Sequence, residues 1–115
     1  MDNVTADLET EVRRLRIRII GLGPRQLVEA GPNSPADGSD PLSRRDTIAE
    51  ALVEFSSIGS GARRVPDLGD QSLADQVVVL IEDGLTLAEN LPVEQRQERI
   101  AQLLDAATRL RRSLA

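Results

Sequence analysis

The sequence predicts a single all-α domain spanning residues 1–115: a small bundle of about four helices (4–20, 41–58, 72–91 and 92–114), the last two forming a long antiparallel hairpin. Three observations carry this. The stretch Asp70 to Leu91 places its apolar residues on close to half of a helical wheel. Residues 4–20 and 92–114 each keep a narrower apolar seam at helical spacing. The segments between these stretches carry the Gly and Pro that interrupt helices.

In the first helix, Leu8, Val12, Leu15 and Ile19 share one face, with Val4 and Leu22 nearby. Asp7, Glu9 and Glu11 precede Arg13, Arg14, Arg16 and Arg18, an order that complements the helix dipole, and Glu9 is expected to pair with Arg13 one turn on. Gly21, Gly23 and Pro24 end the helix. Ile17 and Ile20 fall off its stripe. A rival reading makes Leu15 to Ile19 a strand leading into the glycine-rich turn of a nucleotide site. Gln26 occupies the place of the third glycine in that fingerprint, and Asp37 and Asp40 lie in a loop instead of at a strand end, so the helical reading is preferred.

Residues 24–30 are expected to form one or two helical turns with Pro24 at the first position. The loop 31–41, GPNSPADGSDP, reads as solvated; its Asp37, Ser39 and Asp40 do not fit the calcium-loop pattern. For helix 41–58 two starts compete, Asp40 with Pro41 or Ser43 with Asp46. Ile48, Leu52 and Phe55 form its buried face, and Gly59 and Gly61 close it. A second long loop, 59–71, follows. The pairs Arg44–Arg45 and Arg63–Arg64 are candidate contacts for an anion or an acidic partner, with pairing to nearby Asp residues as the competing reading.

The wide stripe of helix 72–91 gathers Leu73, Ala74, Val77, Val78, Leu80, Ile81, Leu85, Leu87, Ala88 and Leu91, which suits a central helix with neighbours on several sides. Ser72 and Asp75 predict a capping box. Val79 alone lies on the polar side. Gly84, inside the stripe, costs ~1 kcal/mol relative to Ala, so a close neighbour is expected there, with Phe55 as its occupant. Pro92 breaks the chain. Helix 92–114 then keeps Val93, Ile100, Leu103, Ala107, Leu110 and Leu114 on one seam. No cation lies between Arg64 and Arg96, so an acidic central helix flanked by Arg-bearing ones is expected.

Composition excludes much chemistry. The chain has no Cys, His, Lys, Trp or Tyr; its 14 cations are all Arg, a usage that reads as codon bias, and its formal charge is −5. The common zinc sites, imidazole-assisted nucleophiles, the Walker lysine and Schiff bases therefore have no residues to use. Phe55 is the lone aromatic, so base-stacking platforms are missing. No apolar run exceeds the five residues Val77 to Ile81, far short of the ~20 that a membrane helix needs, and the start MDNVTADLETE is acidic where an export signal would be basic and then apolar. A cytoplasmic location is expected, and Asn3-Val4-Thr5 is read as an incidental match to a glycosylation acceptor.

The preferred function is a non-enzymatic module that binds a protein partner or itself as a homo-oligomer, with no cofactor, metal, nucleic acid or membrane expected. Its candidate interface is Ile17, Ile20 and Val79, the apolar residues left once the core is assigned. Two alternatives use other residues: nucleic-acid binding through the tracts 13–18 and 109–112, and a carboxylate or metal-dependent enzyme using Asp75, Glu82, Asp83 and Glu89.

Overall fold

The computed structural model describes residues 4–30, 42–59 and 69–114. The Arg63–Arg64 pair, Gly61, the Asp40–Pro41 helix start and most of both long loops lie outside these residues. Five α-helices follow in order among the described residues: α1 (Val4–Ile20), α2 (Pro24–Val28), α3 (Arg44–Gly59), α4 (Leu73–Ala88) and α5 (Val93–Ser113). Among the described residues there is no strand; 15–20 and 77–81, where a sheet would have overturned the all-α reading, are helical. The one β-type feature among the described residues is an isolated antiparallel bridge between Ala30 and Ser43, beside which the Arg44 amide donates to the Glu29 carbonyl at 2.9 Å. It ties the flanks of 31–41 together.

The helices start where their local chemistry supports a start. Pro24 opens α2, and the Gln26 side chain accepts a hydrogen bond from the Gly23 amide at 3.0 Å. The residue that spoils the nucleotide fingerprint thus closes a helical turn. At α3 the Ser43 hydroxyl accepts from the Asp46 amide at 3.1 Å, so the start with Ser43 is the one used. The capping box at Ser72 does not form. A single 3-10 turn, Asp70–Ser72, leads into α4 and leaves Ser72 with helical backbone angles, so its hydroxyl makes no cap bond. Pro92 precedes α5 as its cap, its carbonyl accepting from the Arg96 amide at 2.8 Å. At their facing ends α4 stops three residues short of 91 and α5 starts one residue after 92.

The core forms where the helical spacings place it. Leu8, Leu15, Ile48, Leu52, Phe55, Val77, Ile81, Leu103, Ala107 and Leu114 are buried in one cluster. α4 and α5 pack on each other, and α1 and α3 each pack on both of them, α1 most extensively on α5 and α3 on α4. The C-terminal hairpin is therefore the centre of the bundle. The expected seams miss at two places, Leu87 and Val93, which are exposed beside the turn between α4 and α5.

The small residue in α4 has a different occupant from the one expected. A Cβ at Gly84 would lie 3.1 Å from Leu103 Cδ1 and 3.6 Å from the Gly59 Cα, and a Cβ at Gly59 would lie 3.2 Å from the Gly84 Cα. Gly84 thus receives the backbone of α3 and a leucine of α5, not the ring of Phe55. The end of α3 is held there from α5 as well: the Arg99 guanidinium donates to the carbonyls of Ile58 and Gly59, the last two residues of the helix. The two glycines predict unequal responses to Ala. Gly84→Ala meets a methyl group that can turn aside and gains helix propensity of ~1 kcal/mol, so its net effect is expected within about 1 kcal/mol of zero. Gly59→Ala meets backbone, which only helix separation relieves, and is expected to cost ~1–3 kcal/mol. Urea denaturation followed by far-UV circular dichroism checks the order; equal costs would mean that the helices do not approach at this pair.

Candidate functional site

The apolar residues left over from the core reading lie on the outside. Ile17 is 71% exposed, Ile20 61% and Val79 50%. Ile17 and Ile20 occupy the last turns of α1, and Val79 the outward pole of α4. They do not share one cavity. Ile17 borders a depression of about 390 Å³ with Arg14, Arg18, Leu22, Gln26 and Arg111. Ile20 borders another of about 370 Å³, between the end of α1, α2 and the start of α4, with Ile19, Leu22, Pro24, Leu27 and Leu73.

The two arginines at the start of α3 are engaged inside the chain. Arg45 forms a two-pronged ion pair with Asp70, Nε to Oδ1 at 2.7 Å and Nη2 to Oδ2 at 2.6 Å. The hydrogen bond from Arg45, and then its charge, outweigh desolvation and hold the Asp70 carboxyl below the ordinary carboxylate range. Arg44 donates to the Gln26 carbonyl at 3.2 Å. Both side chains fasten α3 to its neighbours, the arrangement in which each Arg answers nearby groups.

The C-terminal arginine tract is largely committed too. Arg109 bridges Asp105 at 3.0 Å and Glu54 at 3.1 Å, joining α5 to α3. Arg111 pairs with Glu11, joining α5 to α1. Sequence reasoning missed Glu11 as a buried group, although the signal was present. It stands three residues after Leu8 and four before Leu15, inside the apolar stripe of α1.

The outer surfaces differ in charge. Arg13, Arg16, Ile17 and Ile20 are all exposed and fall within one stripe along α1 at helical spacing. Asp75, Val79, Glu82, Thr86 and Glu89 form a second exposed stripe along α4 and its C-cap. Among the described residues none of Arg13, Arg16, Asp75, Glu82 and Glu89 makes an ion pair, so neither the Glu9–Arg13 pair nor pairs from these acids to the flanking helices form.

No protein-family model, curated protein or solved structure matches this chain.

A depression of about 160 Å³ between α3 and α5 gathers Glu50, Glu54 and Arg109, the last of these bridged to Glu54; two others carry less varied chemistry. The one between α3 and α4, about 280 Å³, is lined by Phe55, Ser56, Leu80, Asp83 and Leu87 among others, with a single carboxylate. The one at Ile17 carries cations and one amide. Neither brings a carboxylate and a base together as acid–base catalysis needs. Among the described residues no three carboxylates gather closely enough to hold a metal ion, and no helix is long and apolar enough to cross a membrane.

Proposed function

We propose that the chain works as a helical association module, acting through its outer helix surfaces. The observation that carries this reading is the outward placement of Ile17, Ile20 and Val79 on α1 and α4. Ile17 stands beside Arg14, Arg18 and Arg111, and Val79 between exposed Asp75 and Glu82, the arrangement in which apolar anchors are rimmed by polar groups, while Ile20 borders a mostly apolar depression. Arginines that would serve an anion site instead, Arg44, Arg45, Arg109 and Arg111, are occupied by partners within the chain.

The test compares the wild-type chain with an Ile17→Ser/Ile20→Ser/Val79→Ser variant by light scattering of the purified proteins and by cross-linking in the source cell. Substitutions at such exposed positions usually change stability by less than about 0.5 kcal/mol each, so folding is expected to survive. The wild type is expected to enter a defined complex, with itself or another protein, that the variant fails to form. Identical behaviour in both measurements would remove the proposal.

A further inference from the structure

We infer that the depression beside Ile17 binds a dianionic phosphate group, held by Arg14, Arg18 and Arg111. The fold brings together here two arginine tracts from opposite ends of the chain. Arg14 and Arg18 stand one turn apart on α1, which sets their Cβ atoms roughly 5–6 Å from each other. Arg111 comes from the last turn of α5, and Gln26 from α2. All four border one depression of about 390 Å³, and no carboxylate lines it. Cations at a helix C-terminus complement the helix dipole, which accounts for the sign of each tract. It does not account for guanidinium groups from two helices sharing one hollow with no acid among them.

The charge of the hollow selects its ligand. Arg111 is balanced, because its Nε donates to Glu11, a buried carboxylate one turn before Arg14. That bond ties the guanidinium in place and leaves its Nη groups without a hydrogen bond among the described residues. Arg14 and Arg18 are exposed and, unlike Arg44, Arg45 and Arg109, make no hydrogen bond or ion pair among the described residues. Glu29, the acid at the end of α2, does not border the hollow. Two positive charges therefore stand without a partner beside a third guanidinium held by its own. A phosphate monoester carries about −1.5 to −2 near neutral pH on three acceptor oxygens, which matches both the charge and the donors. A carboxylate or a phosphodiester brings a single charge. Ile17 and Leu22 give the hollow an apolar side for the carbon stem of an ester. The inference goes beyond the association reading, with which it shares Ile17 alone.

The experiment titrates the full chain at fixed ionic strength with a phosphoserine peptide, inorganic phosphate, acetate and diethyl phosphate, following the arginine Nε–H signals by nuclear magnetic resonance. The two dianions are expected to shift the Arg14, Arg18 and Arg111 signals saturably, and the two monoanions to bind at least about tenfold more weakly. Arg14→Gln/Arg18→Gln is expected to weaken phosphate binding by roughly tenfold or more. Arg13→Gln/Arg16→Gln removes the same charge from elsewhere on α1 and is expected to change it by less than about twofold. Binding is also expected to weaken as the pH falls through about 6, where phosphate loses its second charge while the guanidinium groups keep theirs. Circular dichroism checks that both variants are folded; should Arg14→Gln/Arg18→Gln unfold, the single substitutions take its place and are each expected to weaken binding severalfold. A peptide that binds more tightly than inorganic phosphate assigns the group to the phosphorylated side chain of a partner, and equal affinity assigns it to a free phosphate; either supports the site. Shifts that never saturate, monoanions that bind as well as dianions, or equal losses in the two double variants would overturn the inference. Such a failure leaves the association reading to its own test, since Ile17→Ser/Ile20→Ser/Val79→Ser retains all three arginines.

Discussion

Phe55→Ala is expected to lower the unfolding free energy by about 3–5 kcal/mol, the largest effect of any single truncation in this chain. Phe55 is the only aromatic residue and is fully buried on α3, lining with Leu80 of α4 the depression between the two helices. Removing the ring loses its transfer free energy and leaves a hole. Collapse to fill that hole is restricted, because Gly59 and Gly84 already hold the two helices at close approach on the same side. Truncation also opens the hole toward the adjoining depression of about 280 Å³, exposing Leu80 to water. Domains of this size have total stabilities of ~5–15 kcal/mol, so the variant is expected to be partly unfolded at 37 °C. Phe55→Leu, which keeps most of the volume, is expected to cost ~1–1.5 kcal/mol. The absence of Trp and Tyr makes far-UV circular dichroism in urea the suitable probe. The midpoint is expected to fall with the slope unchanged, as for a loss of stability without a change in the surface exposed on unfolding. A loss below about 1 kcal/mol would show that the ring does not join α3 to α4.

What was legible in the sequence was what periodicity encodes. A stripe of Leu, Ile and Val at three- and four-residue spacing reports the buried side of a helix wherever that helix lies, so Leu8, Leu15, Ile19, Ile48, Leu52, Val77, Ile81 and Leu103 were readable one element at a time. The same logic exposes the residues that do not fit, and Ile17, Ile20 and Val79 are solvent-facing for that reason. Ends were less legible, because a cap depends on the backbone leading into it. Ser43 caps α3, whereas Ser72, with an equally suitable sequence, is drawn into a 3-10 turn.

Pairings between elements were beyond periodicity. Gly84 signalled a close neighbour but not which one; that it is Gly59 follows from how α3 crosses α4, which the wheel of neither helix contains. The charge contrast between α4 and its flanks suggested ion pairs across them. The pairs seen run instead from α5 to α1 and α3, and from α3 to the turn before α4. Charge order along a helix tells which sign is available, while the partner is decided by which stems reach one another once the apolar faces have packed. The acids of the outer α4 stripe, Asp75, Glu82 and Glu89, stay exposed.

The second large effect concerns Glu11 and Arg111, and it is asymmetric. The Glu11 side chain is 7% exposed and that of Arg111 31%. Arg111→Ala leaves a carboxylate inside the apolar stripe of α1 with neither its partner nor much water, and is expected to cost about 2–4 kcal/mol. Glu11→Leu does the reverse. It continues the stripe between Leu8 and Leu15 with an apolar side chain, and the guanidinium left behind, already near the surface on a long stem, can turn into solvent. That variant is expected within about 1 kcal/mol of the wild type, or more stable than it, as replacements of buried ion pairs by apolar groups often are. Glu11→Leu/Arg111→Ala is then expected to be far more stable than Arg111→Ala alone, because the second substitution removes the stranded charge; the departure from additivity, read from a double-mutant cycle of urea midpoints, measures it. If Glu11→Leu and Arg111→Ala prove equally costly and additive, the pair holds α1 to α5 by packing alone. The asymmetric outcome would mean that the pair chooses between arrangements of α1 on α5 more than it strengthens any one of them, since a carboxylate in the stripe tolerates only the register that brings Arg111 to it.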